Sequence, residues 1–252
     1  MLKRRIIPKL LLRNGRNVKG RQFVDLRDTG APVTNARIYD AQGADELIFL
    51  DIEASDANRG LLYDIIAKTA EEVFMPFCVG GGVRTVEDVR ALLLAGADKV
   101  AINTAAIETP SLISDAARLF GSQCVVVSVD FRRDGSRARV FTHGGRCDTV
   151  LDAVDVCRRA AELGAGEILL TSIDRDGTMS GYDLEITRQV ADAVRIPVIA
   201  SGGAGSSEHL AAAFLDGHAS AVAVASLFHF SDHCPIKVKA QLKIAGIDVR
   251  AA

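Results

Sequence analysis

The 252-residue sequence predicts a single α/β domain folded as a (β/α)8 TIM barrel, and three observations support this fold class. Short apolar runs rich in β-branched residues recur along the chain, as expected of strands buried on both faces of a parallel sheet. Helical segments with recognisable ends separate these runs, at about 30 residues per strand–helix unit. Eight such units fill a chain of this length, which is the usual size of a (β/α)8 barrel. The predicted strands are residues 5–12, 46–52, 77–79, 99–102, 125–129, 167–173, 198–200 and 221–225.

Local signals justify the individual elements in chain order. The first strand, residues 5–12, contains Pro8, which lacks an N–H group for the strand ladder. A threonine and a proline begin a predicted helix over residues 109–121, and a glycine ends it. An Asp-Gly turn predicts a hairpin over residues 132–147, after the fifth strand. An apolar stripe that stops before a glycine predicts a further helix over residues 149–163.

The sequence repeats with an offset of 121 residues, the separation of Glu46 from Glu167. Prolines, glutamates and glycines all keep this register without a gap, so chance similarity between glycine-rich loops is a poor explanation. The repeat predicts two related half-barrels of four units each, over residues 1–121 and 122–252. The matching pairs include Pro76 and Pro197, Gly81 and Gly202, Gly82 and Gly203, Glu87 and Glu208, and Gly96 and Gly217.

Composition and charge exclude several classes of protein. The chain has 30 Lys and Arg against 32 Asp and Glu, so its formal net charge of −2 leaves no excess positive charge to bind a nucleic acid. No run approaches the roughly 18 apolar residues that span a membrane, and the N-terminal apolar run is too short for a secretory signal. Five cysteines, an odd number without a CxxC pair, suit the reducing cytoplasm. We therefore expect free thiols, no structural zinc and no other cofactor.

Glycine-rich loops follow the third and seventh predicted strands, at residues 80–82 and 201–205. Glycine lets backbone N–H groups approach an anion closely. Asn103 and Thr104 follow the fourth strand, and Ser226 follows the eighth. Turn formation alone could explain one such loop. Two copies in opposite half-barrels, each with a hydroxyl-bearing partner loop, predict two phosphate sites that face each other across the barrel mouth.

Charged residues begin four of the predicted strands. In a parallel barrel the strand starts meet on the floor, away from the catalytic face. Two cations and two anions there can form a closed ring of salt bridges. The spacing alone favours a plug that stabilises the floor, and the alternative is a gate through which a small molecule enters the barrel axis. The four residues are Arg5, Glu46, Lys99 and Glu167.

Several segments together resemble the cyclase subunit of imidazole glycerol phosphate synthase, the HisF family, over almost the whole chain. The resemblance implies that a separate glutaminase of the HisH type docks on the barrel floor. It also implies that ammonia travels through the barrel to a bis-phosphorylated substrate. The matching segments are residues 16–20, 46–52, 79–83, 98–105, 164–178, 180–183, 199–205 and 228–230.

Position by position, the resemblance also implies roles for individual residues. The four charged residues at the strand starts become an ammonia gate. Asp98 and Gln123 match positions on the side that faces the glutaminase. The phosphate and substrate contacts carried over are Lys19 of a mobile first loop, Gly82, Asn103, Thr104, Asp176, Gly177, Gly203 and Ser226.

One position departs from the family, which uses two aspartates as general acid and base at the ends of strands 1 and 5. Asp130 matches the second aspartate, but Leu11 stands in place of the first and can neither donate nor accept a proton. General acid–base help is typically worth about 10²–10⁴ in rate, so this change does not fit an ordinary histidine-pathway enzyme. Lys9 shares the strand face of Leu11, which sets a cation beside the missing anion. The alternative for Lys9 is an exposed lysine on a frayed strand.

The Pro-x-Leu-Leu-Leu run at residues 8–12 resembles a branch of HisF paralogues. In bacteria that branch works with a matching glutaminase paralogue in the acetamidino modification of surface sugars, including those of lipopolysaccharide. It supplies ammonia to an amidotransferase that converts an N-acetyl group on a nucleotide-linked sugar into an amidine. Two alternatives stay open. One is an authentic cyclase that converts PRFAR and ammonia into imidazole glycerol phosphate and AICAR, and the other is a non-catalytic partner that activates the glutaminase.

Overall fold

The structure is a computed structural model that describes residues 3–53 and 59–250. Strands and helices alternate along these residues. The strands are β1 (Arg5–Arg13), β2 (Arg16–Arg21), β3 (Val24–Gly30), β4 (Leu47–Asp51), β5 (Phe77–Gly80), β6 (Lys99–Ile102), β7 (Val125–Asp134), β8 (Arg137–Thr142), β9 (Cys147–Asp152), β10 (Glu167–Ser172), β11 (Val198–Ser201) and β12 (Ala221–Val224). The helices are α1 (Pro32–Ala41), α2 (Arg59–Glu72), α3 (Val86–Leu94), α4 (Thr104–Glu108), α5 (Ser111–Phe120), α6 (Ala153–Glu162), α7 (Leu184–Ala193), α8 (Ser207–Leu215), α9 (Ser226–Phe230) and α10 (Pro235–Ile244).

Eight of the strands form a closed parallel barrel, in the order β1, β4, β5, β6, β7, β10, β11 and β12. β12 pairs with β1, from Arg5 opposite Ala221 to Pro8 opposite Val224, and closes the barrel. The predicted (β/α)8 fold class is therefore confirmed. Pro8 is the last residue of β1 that pairs with β12, and the pairing with β4 begins at Lys9. The missing N–H group thus falls where the strand changes its partner, and this position tolerates a proline.

Two helices differ from their predicted limits. The helix predicted over residues 109–121 is α5, which begins two residues later and ends just before a glycine. The helix predicted over residues 149–163 is α6, whose first four predicted residues belong to β9 instead. Asp152 sets the start of α6, because its side chain accepts a hydrogen bond of 2.9 Å from the backbone N–H of Val154. This N-cap satisfies a backbone donor that the first helical turn leaves free.

Antiparallel hairpins extend the barrel wall at the mouth. β7 continues past the barrel and pairs with β8, from Asp130 opposite Phe141 to Asp134 opposite Arg137, and β9 adds a third strand. This confirms the hairpin predicted after the fifth strand. β1 likewise continues into the hairpin of β2 and β3, which the sequence did not predict. Both excursions follow the first strand of a predicted half-barrel.

The structure reproduces the sequence repeat in its strand register. β4 pairs with β5 with Leu47 opposite Phe77, and β10 pairs with β11 with Ile168 opposite Val198, which are the same positions after the offset. The backbone N–H of Leu47 donates to the carbonyl of Pro76, as that of Ile168 donates to Pro197. The limits of the two half-barrels remain a prediction.

Side chains along the barrel strands alternate between the helices outside and the axis inside. The axis carries three levels: charged residues at the strand starts, an apolar middle layer and polar residues at the mouth. The middle layer takes residues from all eight strands, namely Ile7, Ile48, Cys78, Ala101, Val126, Leu169, Ile199, Ala221 and Ala223.

No helix among the described residues is both long and apolar enough to cross a membrane.

Candidate functional site

The charged residues at the strand starts form a closed ring on the barrel floor. Arg5 Nη1 lies 2.7 Å from Glu46 Oε2 and 3.0 Å from Glu167 Oε1. Lys99 Nζ lies 2.8 Å from Glu46 Oε1 and 3.1 Å from Glu167 Oε1. Burial lowers the pKa of Lys99, but the two glutamates outweigh burial and hold the pKa of Lys99 and of Arg5 above their usual values. The structure thus brings the four predicted ring residues into mutual contact.

The two glutamates of the ring are not equivalent. Glu46 uses both of its carboxylate oxygens, one for each cation. Glu167 contacts both cations through Oε1, and its Oε2 atom is buried without a hydrogen-bond partner in the described part of the chain. The ring therefore holds one unused acceptor at the lower end of the axis.

Asp130 lies at the mouth, where β7 leaves the barrel. Asn103 Nδ2 donates hydrogen bonds to Asp130 Oδ2 at 3.1 Å and to the carbonyl of Ser128 at 2.9 Å. Burial raises the pKa of Asp130 to about 6, although Lys9 and hydrogen bonds from Thr171 and Asn103 act in the opposite direction. A carboxyl group with this pKa can take up and release a proton near neutral pH.

The first set of predicted phosphate contacts lies beside Asp130. Asn103 and Thr104 follow β6, and Gly82 follows the neighbouring strand β5. Thr104 Oγ1 lies 3.3 Å from Asn103 Oδ1 and accepts a hydrogen bond of 3.0 Å from the backbone N–H of His143. His143 belongs to the turn between β8 and β9, so this hairpin lies against the site. Phosphate binding at this end remains a prediction.

One cavity at the mouth collects the second set of predicted contacts. Ser226 Oγ is buried there and has no hydrogen-bond partner among the described residues. Gly203 has a φ of +107°, and a Cβ atom at this position would lie 2.1 Å from the carbonyl oxygen of Gly181, so only glycine fits. Cations beside an unpaired hydroxyl are features of an anion site. The cavity lining is Lys9, Lys19, Asp176, Gly177, Gly202, Gly203, Ala204, Ala223, Ala225 and Ser226.

Lys9 points into this cavity and is only 3% exposed, so the interpretation as an exposed lysine is wrong. Lys9 Nζ donates a hydrogen bond of 2.7 Å to Ser201 Oγ and lies 3.9 Å from Asp176 Oδ2. Lys19 Nζ donates to the other oxygen of Asp176. Burial lowers the pKa of Lys9, and Lys19 lowers it further, while Asp176 and Asp130 raise it.

Leu11 is buried on β1, opposite Leu50 of β4 and Val18 of β2. Ile7 and Lys9 face the inside of the barrel, so the alternation of the strand turns Leu11 inward as well. The position that carries an acid in the resembling family is therefore apolar at the mouth of this barrel.

Lys19 lies on β2, buried, with His229 and Tyr39 nearby. His229 Nδ1 is 3.4 Å from Tyr39 Oη. Burial and the charge of Lys19 lower the pKa of His229 to about 4, and burial raises the pKa of Tyr39 to about 12. Both side chains are thus neutral near pH 7. The sequence marked His229 only as part of a matching segment and did not single it out as a site residue.

Two further residues at the mouth were missed by sequence reasoning, Ser201 on β11 and Thr171 on β10. Ser201 accepts the hydrogen bond of Lys9, and Thr171 is hydrogen-bonded to Asp130. The period-two alternation of these strands could have identified both, because Ile199 and Leu169 belong to the inner layer two residues earlier.

Asp98 and Gln123 lie before β6 and β7, on the floor, and both side chains are exposed. Asp98 Oδ2 accepts a hydrogen bond of 2.9 Å from the backbone N–H of Phe77. Large apolar side chains are exposed near the lower ends of the helices, among them Phe74 and Leu94, which are 97% and 81% exposed.

Within residues 3–53 and 59–250, no group of three or more His, Cys, Asp or Glu side chains is arranged so that it could hold a metal ion. In a comparison with protein families, the family model described as "Histidine biosynthesis protein" matches residues 5–233. The matched range includes all eight barrel strands, the charged ring and the cavity at the mouth.

Proposed function

This chain belongs to the histidine biosynthesis protein family, and from that premise we propose that it is the HisF-type synthase subunit of a glutamine amidotransferase complex. The family match supports a barrel enzyme of the HisA/HisF type, whose members are histidine-pathway enzymes. In our proposal a separate HisH-like glutaminase docks on the barrel floor, and ammonia released from glutamine passes along the axis to the mouth.

The observation that carries the proposal is the closed ring on the floor. Its four charged groups meet on the barrel axis, and Glu167 Oε2 offers an unused acceptor to ammonia, which is a hydrogen-bond donor. The apolar layer above the ring favours a neutral molecule over an ion, because an unpaired charge is costly in apolar surroundings. A charged ring on the floor with an apolar layer above it therefore suits the passage of ammonia as NH₃.

The floor is also suited to a protein partner. Asp98 and Gln123 offer polar groups there, and Phe74 and Leu94 offer apolar contact area. A specific interface combines an apolar centre with a polar rim. We propose this face as the docking surface for the glutaminase.

The mouth is suited to a phosphorylated small molecule. Lys9 and Lys19 bring positive charge to the cavity, and the buried Ser226 hydroxyl has no hydrogen-bond partner in the part of the chain that the structure describes, a partner that a phosphate oxygen would supply. The second predicted site, at Gly82, Asn103 and Thr104, would bind the far end of a bis-phosphorylated ligand.

The pair of Leu11 and Lys9 favours a paralogue over an authentic cyclase. Leu11 removes one of the two groups that move protons, and Lys9 brings a buried ammonium group close to Asp176. We therefore propose that the chain serves the acetamidino modification of bacterial surface sugars, where the ammonia passes to a separate sugar amidotransferase.

The authentic cyclase is the second candidate, and Asp130 favours it. Its pKa of about 6 suits a general acid or base near neutral pH, as an active cyclase requires. A cyclase would convert PRFAR and ammonia into imidazole glycerol phosphate and AICAR with Asp130 as its one remaining aspartate.

Rescue of a histidine auxotroph separates the two candidates. In a strain that lacks its own cyclase subunit, we expect no growth without histidine when this chain is expressed, because position 11 cannot transfer a proton. The matched control is the double variant Lys9→Cys with Leu11→Asp, because the HisF family that the chain resembles reads Cys-Leu-Asp-Val at the positions of residues 9–12. This variant is expected to support at least slow growth. Growth with the unmodified chain would refute the paralogue and favour the cyclase.

A further inference from the structure

Lys9 places a buried ammonium group in the cavity at the barrel mouth. Its stem runs along the inside of β1, and its ammonium group reaches the cavity that also contains Ser226. A buried lysine costs desolvation free energy, and Lys9 Nζ recovers part of that through a 2.7 Å hydrogen bond to Ser201 Oγ. Asp176 Oδ2 lies 3.9 Å from Lys9 Nζ, too far for a hydrogen bond. The ammonium group is therefore only partly satisfied.

Asp176 serves two cations at once. Oδ1 accepts a hydrogen bond from Lys19, and Oδ2 faces Lys9. Both lysines and the aspartate are almost fully buried, so their charges are weakly screened by solvent. Two positive charges and one negative charge leave the cavity with a net charge of +1 when both lysines are protonated. The Ser226 hydroxyl in the same cavity has no partner among the described residues.

We propose that Lys9 is a second phosphate-binding residue beside Lys19, and that Asp176 is an internal counterion that a phosphate monoester replaces. This inference rests on the phosphorylated ligand of the proposed function and identifies how its phosphate group is held. A phosphate dianion supplies the charge that two ammonium groups require, and its oxygens accept from Ser226 Oγ as well. A carboxylate inside the cavity competes with that dianion for the same two cations.

The proposal assigns Asp176 a role opposite to the one implied by the family resemblance. As a substrate contact, Asp176 would strengthen phosphate binding, and its removal would weaken it. As a counterion, Asp176 accepts the hydrogen bond of Lys19, offsets part of the charge of Lys9 and repels the incoming anion, so its removal strengthens binding. Lys9 and Asp176 variants should therefore change the affinity for phosphate in opposite directions.

Calorimetric titration of the full chain with inorganic phosphate tests this at about pH 7.5, where most of the phosphate is the dianion that the proposal requires. We expect Lys9→Met to weaken phosphate binding by about tenfold or more, because a charge-assisted hydrogen bond is lost. We expect Asp176→Asn to tighten binding by about tenfold, through the loss of one like charge. Lys243→Met, at an exposed lysine of α10, is the matched control and should leave the affinity unchanged.

The two substitutions are expected to change the affinity for phosphate in opposite directions. Misfolding cannot explain both results, because a damaged fold cannot tighten binding at the same cavity. An affinity of Lys9→Met within about twofold of the unmodified chain would overturn the proposal, as would weaker binding by Asp176→Asn. Absence of phosphate binding to the unmodified chain at about 20 mM would also overturn it. None of these results bears on the glutaminase partnership, which is tested separately by the stimulation of glutamine hydrolysis.

Discussion

At the scale of single residues, Asp130 links the site to the stability of the protein. Its folded pKa of about 6 lies above the ordinary value of 3.8 because the group is buried. Below pH 3.8 the carboxyl is protonated in both states. As the pH rises from 3.8 to about 6, the unfolded state releases its proton while the folded state still holds it. The stability that the raised pKa provides is therefore lost as the pH rises through about 6.

We therefore expect Asp130→Asn to remove this pH dependence. The variant should match the unmodified chain near pH 4 and exceed its free energy of unfolding near pH 8 by on the order of 2 kcal/mol. Urea unfolding at several pH values measures both chains. Asp134→Asn, at the exposed end of β7, is the control and should change little. A constant difference between pH 4 and pH 8 would contradict the raised pKa of Asp130.

For single residues, the sequence predicted which face of a strand a side chain occupies better than it predicted which residues that side chain contacts. The alternation of β1 correctly gave Lys9 and Leu11 the same inward face. The partners of Lys9 could not be predicted, because Ser201 and Asp176 come from a strand and a loop more than 160 residues away and meet Lys9 only through the stagger of the closed barrel.

At the scale of elements, the hairpin of β7 and β8 is fixed to α7 by one arginine. Arg133 Nε and Nη2 each donate a 2.6 Å hydrogen bond to Asp183, which also caps α7 by accepting from the backbone N–H of Ile186. Asp183 is buried, so removal of the guanidinium leaves a buried carboxylate that is only partly compensated.

Arg133→Met is therefore expected to lower the free energy of unfolding by about 2 kcal/mol. Arg137→Met is the matched control, since Arg137 lies exposed in the same hairpin, and its effect should stay within about 0.5 kcal/mol. Denaturant unfolding of both variants measures the difference. Equal effects of the two substitutions would contradict a specific role of the pair of Arg133 and Asp183.

The two hairpins also mark the limit of prediction for elements. The one after β7 was predictable because its Asp-Gly turn joins two runs that can pair. The one formed by β2 and β3 was missed. Its strands are rich in charged residues, and its ladder contains register shifts near Asn17 and Lys19. The sequence of these strands therefore shows no regular alternation of apolar and polar residues. The predicted helix over residues 149–163 began too early for a related reason, since Thr149 and its neighbours belong to β9.

At the scale of the whole molecule, the barrel and its charged ring were both predictable from the sequence. Strand period, helix ends and the 121-residue repeat all agree on eight units, and such agreement is what specifies one fold. Glu46 and Glu167 are equivalent in the repeat, yet only Glu167 has an unused oxygen. The repeat could not predict this asymmetry, because it arises from how two unlike cations fit between the glutamates.

The central claim is that the ring admits ammonia to the barrel axis. Lys99→Met with Glu167→Gln removes one charge of each sign, so no single charge is stranded. If the ring were only a plug, such a replacement would be nearly neutral, because buried ion pairs can often be exchanged for apolar groups without loss of stability. The exposed pair Arg158→Met with Asp155→Asn on α6 serves as the control.

The most direct measurement supplies amide-¹⁵N glutamine and excess unlabelled ammonium to the barrel assembled with a HisH-like glutaminase and with the sugar amidotransferase that would take its ammonia. For the unmodified complex and the control pair, we predict that the product nitrogen carries mainly ¹⁵N, because ammonia passes through the barrel without mixing with the solvent. For Lys99→Met with Glu167→Gln, glutamine hydrolysis should continue while the ¹⁵N content of the product falls, because the unlabelled ammonium in solution then supplies most of the product nitrogen. An unchanged ¹⁵N content and an unchanged yield of product per glutamine in the ring variant would contradict the account and identify the ring as a plug.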